Sequence, residues 1–132
     1  MTLFRVAVIL FAFIPLYFGV TGTLSGGAPL AGGDLGAVAG PLDNQFRYLC
    51  GVYIGIAVML FYSVGDVAGR AAVFRLAMLA VFIGGVSRMV SYLSVGNAAP
   101  WQESGMVVEM VTPVAFVLWQ WMVLKASRNV IR

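Results

Sequence analysis

The chain has 132 residues, of which 61% are hydrophobic and 10% charged, with a formal net charge of +3 and a mean hydropathy of +0.97. Soluble domains carry about 25% charged residues, so water is a poor solvent for most of this surface, and the length leaves no room for a separate soluble domain. Histidine is absent and Cys50 is the one cysteine, which excludes an internal disulfide, the usual nitrogen–sulfur metal sites and hydrolysis by a Ser-His-Asp or metal mechanism.

Four apolar runs succeed one another in chain order, over about residues 3–24, 44–64, 73–95 and 104–124. Each is long enough to cross a hydrocarbon core of roughly 30 Å as a helix, at about 1.5 Å per residue. Backbone groups in lipid must be bonded internally, so all four are expected to be helices. The fold class is all-α, an integral membrane four-helix bundle forming a single domain.

The first run has Arg5 before an apolar stretch, the form of a signal peptide, and is expected to remain as an anchor. It contains Pro15, as the fourth contains Pro113, and proline is tolerated inside spans. The first connection, "SGGAPLAGGDLGAVAGP", reads as a flexible surface loop, with a short helix over "LGAVAG" as the alternative. Its glycines lack the spacing of a phosphate-binding loop.

The second run opens on "PLDNQFRYLCG", where Asp43 is suited to cap the helix. Asn44, Arg47, Tyr48 and Gly51 come next at spacings of three and four, on one face. Gly55 extends that face and forms a small-xxx-small pair with Gly51, which favours close approach of another helix. Cys50 reads as a packing residue.

Arg70 and Arg75 flank the second connection, and Lys125, Arg128 and Arg132 lie beyond the fourth run, whereas the first and third connections hold only Asp34 and Glu103. The positive-inside rule then puts both termini of this multi-pass chain in the cytoplasm. The basic residues mark topology and form no stripe for nucleic acid. Trp101 fits the outer aromatic belt, Trp119 and Trp121 the inner one.

The third run contains "GGVSRMVSYL", with Arg88 about seven residues, roughly 10 Å, from its outer end. Gly84, Arg88, Ser91 and Val95 share a face. In the fourth run Glu109 lies about five residues, roughly 8 Å, from the outer side. A short connection makes these helices antiparallel neighbours, so Arg88 and Glu109 are expected at one level. A lone charge at the bilayer centre costs about 2.5–3.5 kcal/mol, and pairing avoids that cost. Asp43, Asn44, Arg47, Tyr48, Arg88, Ser91 and Glu109 are therefore expected to converge in the outer half, with almost nothing polar in the inner half.

At "LDNQFRYLCGVY", "GGVSRMVSYLSVG" and "VVEMVTPVAFVLW" the chain resembles a family of small bacterial four-helix membrane proteins catalogued as a domain of unknown function. The resemblance implies a four-span inner-membrane protein with Asp43, Asn44, Arg47, Arg88 and Glu109 at signature positions, and it implies no activity.

Two readings of the cluster stand side by side. It is interhelical glue, or it is a pocket for a polar-headed apolar molecule such as a lipid or quinone. The corresponding function class is a non-enzymatic protein that binds such a molecule or serves as accessory subunit of a larger membrane complex or homo-oligomer, with membrane lipids as partners and no cofactor or metal. The alternatives are an isomerase-like membrane enzyme using Glu109 for proton transfer beside Arg88, and a small proton-coupled transporter.

Overall fold

In the computed structural model, residues 1–96 and 99–130 are described, with side chains through Ser127. Asn97, Ala98, the Arg128 side chain and Arg132 lie outside that set, so two of the basic residues that mark topology fall beyond it. The described residues form four α-helices and two short 3-10 turns, with no strand. The helices are α1 (Thr2–Ser25), α2 (Gly40–Gly65), α3 (Ala71–Val95) and α4 (Pro100–Val130). All four are long and apolar enough to cross a membrane. The chain is a transmembrane four-helix bundle.

Two helices begin earlier than their apolar runs. Pro41 and Pro100 stand in the first turns of α2 and α4. Proline there forfeits no helical hydrogen bond and presets φ, so each helix starts ahead of the hydrophobic stretch. Asp43 is consequently one turn inside α2 and is not its cap, since Ala39 occupies that place. The first connection is not a featureless loop. It makes 3-10 turns at Ala28–Ala31 and Leu35–Ala37, the second on the "LGA" of "LGAVAG".

The packing pairs α1 with α2 and α3 with α4, and the hairpins meet chiefly along α2 and α3. The buried face of α1 runs through Phe4, Val8, Ala12, Pro15, Gly19 and Gly22, at spacings of three and four. Gly19 and Gly22 let α1 close onto α2: a Cβ at Gly19 would stand 2.8 Å from the Cys50 carbonyl oxygen, and one at Gly22 would collide with the Cys50 thiol. Cys50 is 6% exposed and acts as a packing residue. Gly51 and Gly55, by contrast, are exposed with open space beside them, so no described helix of this chain uses that pair.

Gly85 does the same work between α3 and α4, since a Cβ there would lie 2.8 Å from Met110 and 3.0 Å from the Glu109 Cβ. The neighbouring Gly84 meets nothing. Phe4 packs on Phe74 and on Trp119 with ring centroids 5.5 Å apart, and Phe11 meets Phe116 at 5.5 Å, joining α1 to α3 and α4. The many exposed large apolar side chains, such as Leu3, Leu24, Leu93 and Val95, are what a bundle solvated by lipid presents.

The two ends of the bundle differ. The loop end holds segment 26–39, Gly96 and Ala99, and the terminal end holds the N-terminus and the 66–70 turn. The terminal end is more polar inside than its sequence suggests. Gln120 is 0% exposed and Ser63 3%, which corrects the expectation that this half holds almost nothing polar. Both are satisfied, Ser63 by the Leu60 carbonyl and Gln120 by Arg75 and Val67.

Candidate functional site

The polar residues toward the loop end form two clusters. In the first, Arg47 Nε donates to Asp43 Oδ2 at 2.8 Å, one turn apart on α2. Arg47 Nη1 reaches across to α1 and donates to the carbonyls of Thr23 at 2.6 Å and Leu24 at 3.3 Å. Asp43 Oδ1 accepts from Gly27 N at 2.8 Å. The last carbonyls of a helix have no partner within it and carry partial negative charge, so a guanidinium there satisfies and stabilises them. Gly26, at φ 61°, makes the turn out of α1, and a Cβ there would run into both Asp43 and Arg47. The cluster is a latch between the α1 terminus and α2.

The second cluster joins three helices. Arg88 Nε on α3 donates to Glu109 Oε2 on α4 at 2.8 Å. Tyr53 Oη on α2 donates to Glu109 Oε1 at 3.1 Å. Both carboxylate oxygens are thus engaged. The Arg88 side chain is 34% exposed and that of Glu109 16%. Arg88 bonds Glu109 through Nε, and its guanidinium also lies beside the Tyr53 hydroxyl, so Tyr53, Arg88 and Glu109 touch one another in a closed set.

These groups sit at the wall of a cleft of about 160 Å³ formed by all four helices. Phe11, Ile14, Pro15 and Phe18 line it from α1, Phe46, Cys50 and Tyr53 from α2, and Val81 and Arg88 from α3. Trp101, Gly105, Val108 and Glu109 complete it from α4. Arg88 also borders a groove of about 170 Å³ between α3 and α4, which continues past Ser91 and Gln102 to Gly96 and Glu103.

The structure divides the residues expected to converge. Arg88 and Glu109 meet, with Ser91 beside the groove of Arg88. Asp43 and Arg47 form the separate latch. Asn44 and Tyr48 line no part of the cleft, and Tyr48 is 64% exposed. Tyr53, by contrast, belongs to the site without being expected there. Its signal is the spacing Phe46, Cys50, Tyr53, Ala57, Leu60, which is the inward face of α2 and runs beside the polar face at 44, 47, 48 and 51. No group of three His, Cys, Asp or Glu among the described residues is placed to hold a metal.

Residues 3–120 match the family described as Domain of unknown function (DUF4345). The chain belongs to that family. The match spans all three segments that carry the resemblance and includes Tyr53, Arg88 and Glu109. No match is found among curated proteins or among solved structures.

Proposed function

We propose that this protein is a non-catalytic membrane binding protein whose cleft holds an amphiphile with a neutral, hydrogen-bond-accepting head, of the quinone or ester-carbonyl type. The observation that carries this reading is that the Arg88 guanidinium, with five N–H donors and only Glu109 and the Tyr53 hydroxyl beside it as acceptors, stands at a cleft otherwise lined almost entirely by apolar side chains. Such a combination, apolar walls with a few convergent polar groups, is the common form of a small-molecule site. The charges narrow the class. Arg88 and Glu109 already cancel, and both Glu109 oxygens are engaged. An anionic head would add an uncompensated charge in low dielectric, which is costly. A carbonyl adds none and accepts what Arg88 has left to give.

The test is extraction and mass spectrometry of the small molecules retained by protein purified from its native membrane in mild detergent. The reading expects a neutral amphiphile in near-stoichiometric amount with wild type and its loss from Arg88→Met. A wild-type preparation without one, or equal retention by the variant, overturns it.

Docking on a larger membrane complex is a second reading, favoured by the open surface over Gly51 and Gly55 on α2. Gly55→Leu would then strip a co-purifying protein without changing the retained amphiphile. Orientation belongs to the same proposal: both termini are read as cytoplasmic in a bacterial inner membrane. The support is that Arg5, Arg70, Arg75 and Lys125 all fall at the terminal end, while Asp34 and Glu103 fall at the other. A single cysteine placed at Ser127 in a Cys50→Ala background should resist an impermeant maleimide in intact cells and react after lysis.

A further inference from the structure

A second site lies at the terminal end, on the face of α3 and α4. Arg75 Nε donates to Gln120 Oε1 at 3.0 Å. Gln120 is 0% exposed, and its amide nitrogen lies 3.5 Å from the Val67 carbonyl in the turn between α2 and α3. A buried amide in a span is costly unless both of its ends are bonded. Here one end is fixed to the turn and the other to Arg75, so the amide sets the direction of an exposed guanidinium. The terminal nitrogens of Arg75 have no acceptor among the described residues.

Arg75 borders two shallow apolar grooves between α3 and α4. One, about 360 Å³, runs along Met78, Leu79 and Phe82. The other, about 430 Å³, passes Leu118 to Trp121. Lys125 Nζ stands 5.0 Å from the centre of the Trp121 ring. Among the described residues no carboxylate lines either groove, and Asp66, the acid at that end, is turned into its own loop, accepting from Gly69 N at 2.9 Å. Apolar grooves that begin at Arg75, with Trp121 on their border and Lys125 one turn further along α4, complement one class of molecule.

We propose that this face binds an anionic phospholipid, with its phosphate on Arg75 and Lys125 and an acyl chain along Met78, Leu79 and Phe82. Basic pockets between spans attract anionic headgroups in this manner. Gln120 is the positioning residue: it touches no lipid and acts by holding the guanidinium. The site is separate from the cleft and does not depend on what the cleft holds.

Native mass spectrometry of the full-length protein, titrated with phosphatidylglycerol or phosphatidylcholine, tests the assignment. The first phosphatidylglycerol adduct should form at lower concentration than the first phosphatidylcholine adduct. Arg75→Gln should weaken it about fivefold, the scale of one cation at a membrane surface, and leave phosphatidylcholine unchanged. Gln120→Leu keeps every charge yet should weaken the same adduct severalfold, a result that loss of charge alone would not give. Arg5→Gln, a cation at the same end but outside the grooves, should have no effect. Equal affinity for the two lipids, an unaffected Arg75→Gln, or an equal loss in Arg5→Gln would each overturn the proposal. Arg75→Lys supplies the check on folding, since it retains the charge and should fall between wild type and Arg75→Gln.

Discussion

Replacing either partner of the Arg88–Glu109 pair should cost about as much as replacing both. Glu109→Leu leaves the guanidinium of Arg88 without its carboxylate and removes the acceptor of Tyr53 as well. Arg88→Met leaves the carboxylate with only the phenol. Breaking a fully buried pair costs about 3–5 kcal/mol. Arg88 is 34% exposed and Glu109 16%, so partial solvation reduces each single loss to about 2 kcal/mol. The double variant exchanges the pair for apolar contact among Gly85, Met110 and Val81 and should also cost about 2 kcal/mol, a coupling of about 2 kcal/mol. The assay is a double-mutant cycle by sodium dodecyl sulfate titration in mixed micelles, monitored by circular dichroism. If the two single losses add to within about 0.5 kcal/mol, or if Arg88→Met stabilises the protein, then the pair is not the contact described and the polar wall of the cleft has no basis.

The glycines and the latch carry further expectations. Gly22→Val drives side-chain atoms into Cys50 and should destabilise the bundle by about 1–3 kcal/mol, read in the same titration, with part of the loss recovered in Cys50→Ala; Gly55→Ala, which meets open space, should stay within about 0.5 kcal/mol of wild type. Gly26→Ala must hold φ 61° and also displaces Asp43 and Arg47, so it should cost at least about 1 kcal/mol and raise proteolysis within residues 26–39. Arg47→Met strips the bonds to the Thr23 and Leu24 carbonyls, with an expected loss of about 1–3 kcal/mol and faster amide exchange in the last turn of α1.

The four spans and the level of the ion pair were legible because both rest on simple lengths. Apolar runs of about 21 residues define the spans, and counting inward from a short connection brings Arg88 and Glu109 to one depth. The starts of α2 and α4 were not, since Pro41 and Pro100 extend each helix into residues that hydropathy assigns to loops. Grouping Asp43, Arg47, Arg88 and Glu109 in one place failed for a different reason. A shared depth does not fix a shared azimuth, and Arg47 found nearer acceptors at the open end of α1. The same gap hid Tyr53, which belongs to the apolar face of α2 by spacing and to the polar site by its hydroxyl. Gly85 and Gly84 are indistinguishable in sequence, and only the contact with Glu109 and Met110 separates them. Gln120 carries no charge and so draws no notice in a span, although its partner Arg75 lies 45 residues away in the chain.

Trp101 lines the cleft, while Trp119 packs on Phe4 and Trp121 lies at the terminal end. A Trp119→Phe, Trp121→Phe variant therefore carries one reporter at the site, and quinones quench indole fluorescence. Titrating that protein with a short-chain quinone should give saturable quenching, abolished by adding Arg88→Met. Quenching that rises linearly and identically in both proteins would contradict the account, because the quinone would then be sampling the micelle and not a site.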